Sequence, residues 1–161
     1  MTPRLRSGQG HDSDFTEAGY RALVRQARER YEFLSFTQAA NAEAGVLWRH
    51  DIDISAHRSV ALARIEHEAG ARATYFVYLH SRFYNALEDV VIERLRAVAA
   101  LGHEFGLHFD PRFIPAAASM EEAVAAERQL LEGAIGMPLT ALSFHDPDLP
   151  GMVTTDTPSL P

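Results

Sequence analysis

The chain has 161 residues, 15 of them basic and 22 acidic, giving a formal net charge of −7. That length fits one domain, the balance of 47% apolar to 23% charged residues describes a chain that folds, and the acidic excess argues against a general nucleic-acid binder, which needs a positive surface. Every basic residue is arginine and cysteine is absent, so lysine Schiff-base chemistry, thiolate nucleophiles and disulfides are excluded, while no compartment is selected.

In chain order, residues 1–14 read as a flexible lead-in. A helix is predicted from Thr16 to Arg30, with Thr16 as N-cap, Gly19 at its third position, and Ala18, Leu23, Ala27 and Tyr31 on one face. After the turn-rich Asn41–Gly45 segment, Val46-Leu47-Trp48 reads as a short buried strand that leads into Arg49-His50-Asp51-Ile52-Asp53. Ser55 caps a second helix, Ala56 to Ala69, ended by Gly70. Ala73 to Leu79 is β-branched and aromatic, a second strand. A third helix spans about Leu87 to Leu101, and Glu104 to His108 forms a third strand. Ser119-x-x-Glu122 is a capping-box signature that opens a fourth helix to about Ala134. Leu139 to Phe144 is the fourth strand, ending at His145-Asp146-Pro147. Residues 148–161 carry three of the eight prolines and read as an unstructured tail, which leaves 15–147 as the domain. No apolar run approaches the ~20 residues of a membrane span, and the polar start lacks the apolar core of a signal peptide, so the expected location is cytoplasmic.

Strands alternating with helices predict an α/β fold built on a parallel sheet or barrel, in which ligands bind at the carboxyl ends of the strands. Polar residues stand at three of those ends: Asp51 and Asp53, then His108 and Asp110, then His145 and Asp146. Asp51 and Asp53 share a face of an extended chain, where one carboxylate can act as a base while the other binds a cation. The same pair could equally cap the helix that begins at Ala56. His103 and His108 are five apart, a spacing that defines no metal site by itself, whereas His108 and Asp110 would share a face. Any one of these histidines alone is as well explained by a structural hydrogen bond; it is their convergence that points to a site. His11, His57, His67 and His80 read as solvated, and Tyr75, Phe76, Tyr78, Phe83 and Tyr84 as core and loop packing, although sugar-binding clefts also use such rings. The chain has no nucleophile elbow, P-loop, G-x-G-x-x-G or H-E-x-x-H motif.

Leu47-Trp48-Arg49-His50-Asp51-Ile52-Asp53, Ala71-Arg72-Ala73-Thr74-Tyr75-Phe76, Gly102-His103-Glu104-Phe105-Gly106-Leu107-His108 and Ser143-Phe144-His145-Asp146-Pro147 together resemble, in order and spacing, the motifs of the polysaccharide deacetylase family. This is the NodB homology domain of carbohydrate esterase family 4, and the likeness is to a divergent subgroup of it. The resemblance implies a deformed (β/α) barrel, here incomplete with about four βα units, and a divalent metal, usually zinc, that serves hydrolysis of acetyl groups on a sugar or polysaccharide. It implies Asp51 as the base, and Asp53 and His108 as metal ligands, although the family's paired aspartates are adjacent and these are separated by Ile52. The family's second metal histidine falls at Arg112, which cannot ligate, so the third ligand is sought among His145, Asp110 and His103, with His145 preferred. The family's late Leu-x-x-His motif has no counterpart, and the chain corresponds to about the first two-thirds of such a domain. Two rival readings follow: a catalytically inactive, truncated relative with a binding role, and a metal-dependent amidase acting on a small non-sugar amide. An exposed barrel edge would make oligomerisation plausible.

Overall fold

Helix α1 (Glu17–Arg28) starts at the expected cap, where the Thr16 hydroxyl accepts from the Gly19 amide at 3.1 Å. The structure, a computed structural model, describes residues 16–146; the expected lead-in at 1–14 and tail at 148–161 lie outside the described residues. The buried stripe of α1 differs from the sequence expectation. Val24 is fully buried with Tyr20 and Ala27 packed around it, whereas Leu23 and Tyr31 are about half exposed. The helix ends at Arg28, so Tyr31 never joins its face.

Between α1 and the first polar strand end lies a small unit of which the sequence predicts only the Val46–Leu47 strand. It comprises β1 (Phe33–Leu34), α2 (Phe36–Ala39), which carries a capping box of Ser35 and Gln38, and β2 (Val46–Leu47), which pairs in parallel with β1. A Cβ on Gly45 would lie 2.3 Å from Leu34 Cδ1 and 2.7 Å from Leu34 Cγ, so any larger residue there would force Leu34 of β1 to shift. The Val46–Trp48 run is therefore not the strand that reaches the site. The main sheet begins three residues later, with β3 (Arg49–Ile52).

From β3 onward the expected alternation holds: α3 (Ala56–Glu68), β4 (Thr74–Val77), α4 (Asp89–Ala100), β5 (Glu104–Phe109), a 3₁₀ turn at Pro111–Phe113, α5 (Met120–Ile135) and β6 (Leu139–Phe144). Ser55 and Ser119 cap α3 and α5 through the amides of Arg58 and Glu122. The four strands form one parallel sheet in the order β3-β4-β5-β6. Crossovers between parallel strands of one sheet are almost always right-handed, and with consecutive strands adjacent this puts the helices on one face. On that face Tyr75, Val77, Phe105, Leu107 and Phe109 pack against Ala63, Leu95, Val98, Leu131 and Ile135.

The opposite face carries Arg49, Asp51, Phe76, Gly106, His108 and Ser143. Flat strands at ~4.8 Å spacing would set the edge strands β3 and β6 about 14 Å apart. Yet Arg49 Nη2 donates to Ser143 Oγ at 2.8 Å, so the sheet curls towards this face and brings its edges within side-chain reach. Gly106 makes room for the curl: a Cβ there would sit 2.5 Å from Phe76 Cε1 and 2.9 Å from the Ala141 carbonyl. Gly106→Ala is expected to cost about 1–3 kcal/mol through overpacking, read as a lower urea midpoint with an unchanged slope. An unchanged midpoint would show that Phe76 can step aside.

Behind the sheet lies a buried carboxylate. Glu66 of α3 is 0% exposed, accepts from the Tyr20 hydroxyl and from the Tyr75 hydroxyl at 2.7 Å, and lies 2.5 Å from His50 Nε2. Trp48 Nε1 donates in turn to the Tyr20 oxygen at 2.9 Å. The cluster ties α1, α3, β3 and β4 together. Among the described residues no helix is long and apolar enough to cross a membrane.

Candidate metal centre

The carboxyl ends of β3, β5 and β6 converge. Asp53 follows β3, His108 lies near the end of β5, and His145 follows β6, its amide extending the ladder to the Phe109 carbonyl at 2.7 Å. One ligand atom from each of Asp53, His108 and His145 falls within 4.8 Å of the others, a group that could hold a metal ion. His108 Nε2 is 3.5 Å from Asp53 Oδ1 and 3.8 Å from Asp51 Oδ2. Two ligand atoms on a tetrahedral ion with bonds of about 2.0–2.2 Å are about 3.4 Å apart, close to the first of these separations.

The donor chemistry fits a cation as well. Asp53 Oδ1 is buried and has no hydrogen-bond donor, an arrangement that is costly for a carboxylate oxygen unless a cation meets it. Burial holds the His108 imidazole below its ordinary pKa in spite of the Asp51 and Asp53 charges, and the neutral ring is the form that ligates. His108 Nδ1 is also buried and has no hydrogen-bond partner among the described residues.

His145 is held by a hydrogen bond that Arg112 Nη2 donates to its Nδ1, and by the neighbours around the ring. Its ring stacks on Tyr78 at 4.3 Å, and its Nδ1 lies 3.6 Å from Asp110 Oδ2, 3.5 Å from Asp146 Oδ2 and 3.1 Å from Arg112 Nη2. Because Arg112 only donates, this bond leaves the proton of the neutral ring on Nε2. For Nε2 to offer its lone pair to a metal, the proton must move to Nδ1, where Asp110 or Asp146 can accept a hydrogen bond from it. Asp110 is fully buried, accepts from the Tyr78 hydroxyl at 2.6 Å, and takes Arg112 Nε and Nη2 at 2.9 and 2.7 Å. Burial alone would raise its pKa, but the Arg112 and Tyr78 hydrogen bonds outweigh that and hold it well below the usual carboxylate range. The Tyr78 hydroxyl is pushed up to about 12 by burial and by Asp110.

Asp51 and Asp53 both reach the cluster, and neither caps α3, a role Ser55 fills. Asp51 Oδ1 is held by Arg49 Nη2 at 2.5 Å. Two alternative third ligands are placed otherwise. His103 lies buried at the far end of β5, against the Ala63 carbonyl at 2.9 Å and the Ala73 amide at 3.2 Å, and Asp110 has its oxygens occupied. His80, expected to be solvated, is partly buried, with Nε2 2.8 Å from Glu127 Oε1 and its ring stacked on Phe113 at 4.0 Å. Sequence reasoning missed Tyr78 and Arg112 as supports of the cluster. Tyr78 reads as one more core aromatic, and an arginine two residues after Asp110 shows its partner only once the 3₁₀ turn is formed.

Comparison with known proteins finds neither a family model nor a curated protein that matches this chain.

Proposed function

We propose that this protein is a zinc-dependent hydrolase that removes acetyl groups from a sugar, with Asp53, His108 and His145 as metal ligands and Asp51 as the base. The observation that carries this reading is the donor-free Asp53 Oδ1 facing His108 Nε2, with a second carboxylate, Asp51, beside it. Two histidines with one carboxylate form a donor set used by zinc hydrolases, which leave an open position for water or substrate. Zinc bound there would polarise the acetyl carbonyl and lower the pKa of a water from 15.7 to about 7.

The residues divide the remaining tasks. Asp51 Oδ2 faces the cluster and can take the proton of the attacking water, while Arg49 fixes the other oxygen. As the carbon–nitrogen bond breaks, the leaving amine needs a proton, which the same carboxyl can return. Asp110, Tyr78 and Arg112 hold His145 in place.

The test is acetate release from N-acetylglucosamine oligomers by zinc-loaded protein. Asp51→Asn should keep its zinc and lose about 10²–10⁴-fold in rate. A variant as fast as wild type would remove Asp51 from the chemistry. Absence of both zinc uptake and acetate release in the wild type would favour the catalytically inactive reading.

A further inference from the structure

Beside the metal cluster lies a cavity of about 310 Å³ lined by Asp53, Tyr78, Arg82, Phe83, Arg112, His145 and Asp146. That is the small end of the ~300–1,000 Å³ range of ligand sites, enough for a single sugar ring. Two of its lining residues have no part in the chemistry above. Phe83 is 70% exposed, and Arg82 is exposed and makes no ion pair or hydrogen bond with any described residue. The other charges near the cluster are engaged: Arg112 by Asp110 and Asp146, and Arg49 by Asp51.

This exposure is built into the loop. Both residues flanking the pair are anchored to the segment that carries the metal ligand. The Ser81 hydroxyl donates to the Asp53 carbonyl at 2.7 Å and accepts from the Phe83 amide at 3.1 Å. The Tyr84 hydroxyl donates to the Ile52 carbonyl, with the Tyr78 carbonyl 3.2 Å away. The loop thus holds an apolar ring and an unpaired guanidinium against the cavity wall. Of the carboxylates on the cavity wall, Asp53 belongs to the metal cluster and Asp146 lies 3.3 Å from Arg112, which leaves the Arg82 guanidinium open to a ligand. A planar guanidinium matches a carboxylate through two parallel hydrogen bonds.

We infer that Arg82 and Phe83 form a substrate-recognition element, and that the substrate is an acetylated sugar bearing a carboxylate, its ring face on Phe83 and its carboxylate on Arg82. This rests on the proposed deacetylase reading for the position of the acetyl group, but its test can be read separately. Calorimetric titration with N-acetylglucosamine, N-acetylglucosaminuronic acid and N-acetylmuramic acid, with and without zinc, is run beside the acetate-release assay. At least one of the two anionic sugars should bind about tenfold or more tighter than the neutral one. Arg82→Gln should collapse that difference while keeping the zinc content of the wild type, and Phe83→Ala should weaken all three sugars alike. Equal binding of neutral and anionic sugars, a preference that survives Arg82→Gln, or no binding of any of the three would each overturn the inference. If acetate is released without an anionic preference, only this inference fails. If the preference appears but zinc uptake and acetate release do not, the deacetylase reading fails and Arg82 and Phe83 stand as a binding site for carboxylate sugars.

Discussion

Replacing His108 by Ala is expected to abolish stoichiometric zinc binding, raising the dissociation constant by at least about 100-fold. Loss of a supporting hydrogen bond around a metal already costs 10–100-fold, and loss of a ligand costs more. His108 is the most buried member of the cluster and the one whose Nε2 faces both Asp51 and Asp53. Without it those carboxylates meet each other across a gap. Elemental analysis after dialysis, followed by titration with zinc, checks this, and zinc content equal to wild type in His108→Ala would sink the assignment. The imidazole packs edge-on against Phe76 and Tyr78, so circular dichroism of the variant must show that the fold survives. His108→Gln keeps much of the volume and should lose zinc as well.

The second large effect lies on the other face of the sheet. Glu66→Ala is expected to destabilise the protein by about 3–5 kcal/mol, because it leaves His50, Tyr20 and Tyr75 facing a buried gap where one carboxylate had answered all three. On a total stability of about 5–15 kcal/mol this is a large fraction, measurable as a lower urea midpoint. Glu66→Gln keeps an acceptor and should cost less. A loss below about 1 kcal/mol in Glu66→Ala would show that the cluster contributes little to stability.

The same cluster sets the response to acid. Burial alone would raise the Glu66 pKa, but the His50, Tyr20 and Tyr75 hydrogen bonds outweigh it and hold the carboxyl below its ordinary 4.5. A depressed carboxyl pKa gives stability that is present above pH 4.5 and lost as the pH falls through the lower folded value. His103, 3.6 Å from Glu66, is held below its ordinary 6.5 by burial. There the unfolded chain takes up the proton first, so stability begins to decline as the pH falls below 6.5. Urea midpoints should therefore fall from pH 7.5 to pH 5 and fall further below pH 4.5, and Glu66→Ala should flatten the second decline. Midpoints that rise on acidification would contradict the sign.

Much of the frame was legible along the chain because its signals are local. Thr16, Ser55 and Ser119 each sit three residues before an amide that needs an acceptor, and a cap depends on nothing farther away. The strands with all-apolar or aromatic runs were found to within about two residues, as was each of the three long helices that follow them. β1 and α2 escaped because elements of two and four residues carry no period; the Val46–Leu47 strand was legible, but not its pairing with β1. The stripe on α1 was misjudged because Val24 is chosen by what lies opposite it, Phe33 and Ala71, rather than by spacing.

By itself the sequence determined that the elements alternate, that acids and histidines stand at the ends of successive strands, and that lysine and thiol chemistry are absent. Residue type and order settle these points. Only the tertiary structure decided which polar residues meet. His103 and His108 are five positions apart on one strand and end in different environments, one against the Ala63 carbonyl and one beside Asp53. His145, far along the chain, joins His108 because β5 and β6 are neighbours in register. Likewise, His50 and Asp51 are adjacent in sequence yet point to opposite faces, one to a sealed carboxylate and the other to the open cluster. Side-chain direction in a curled sheet depends on register and curvature, and both are set by contacts between strands that are distant in the chain.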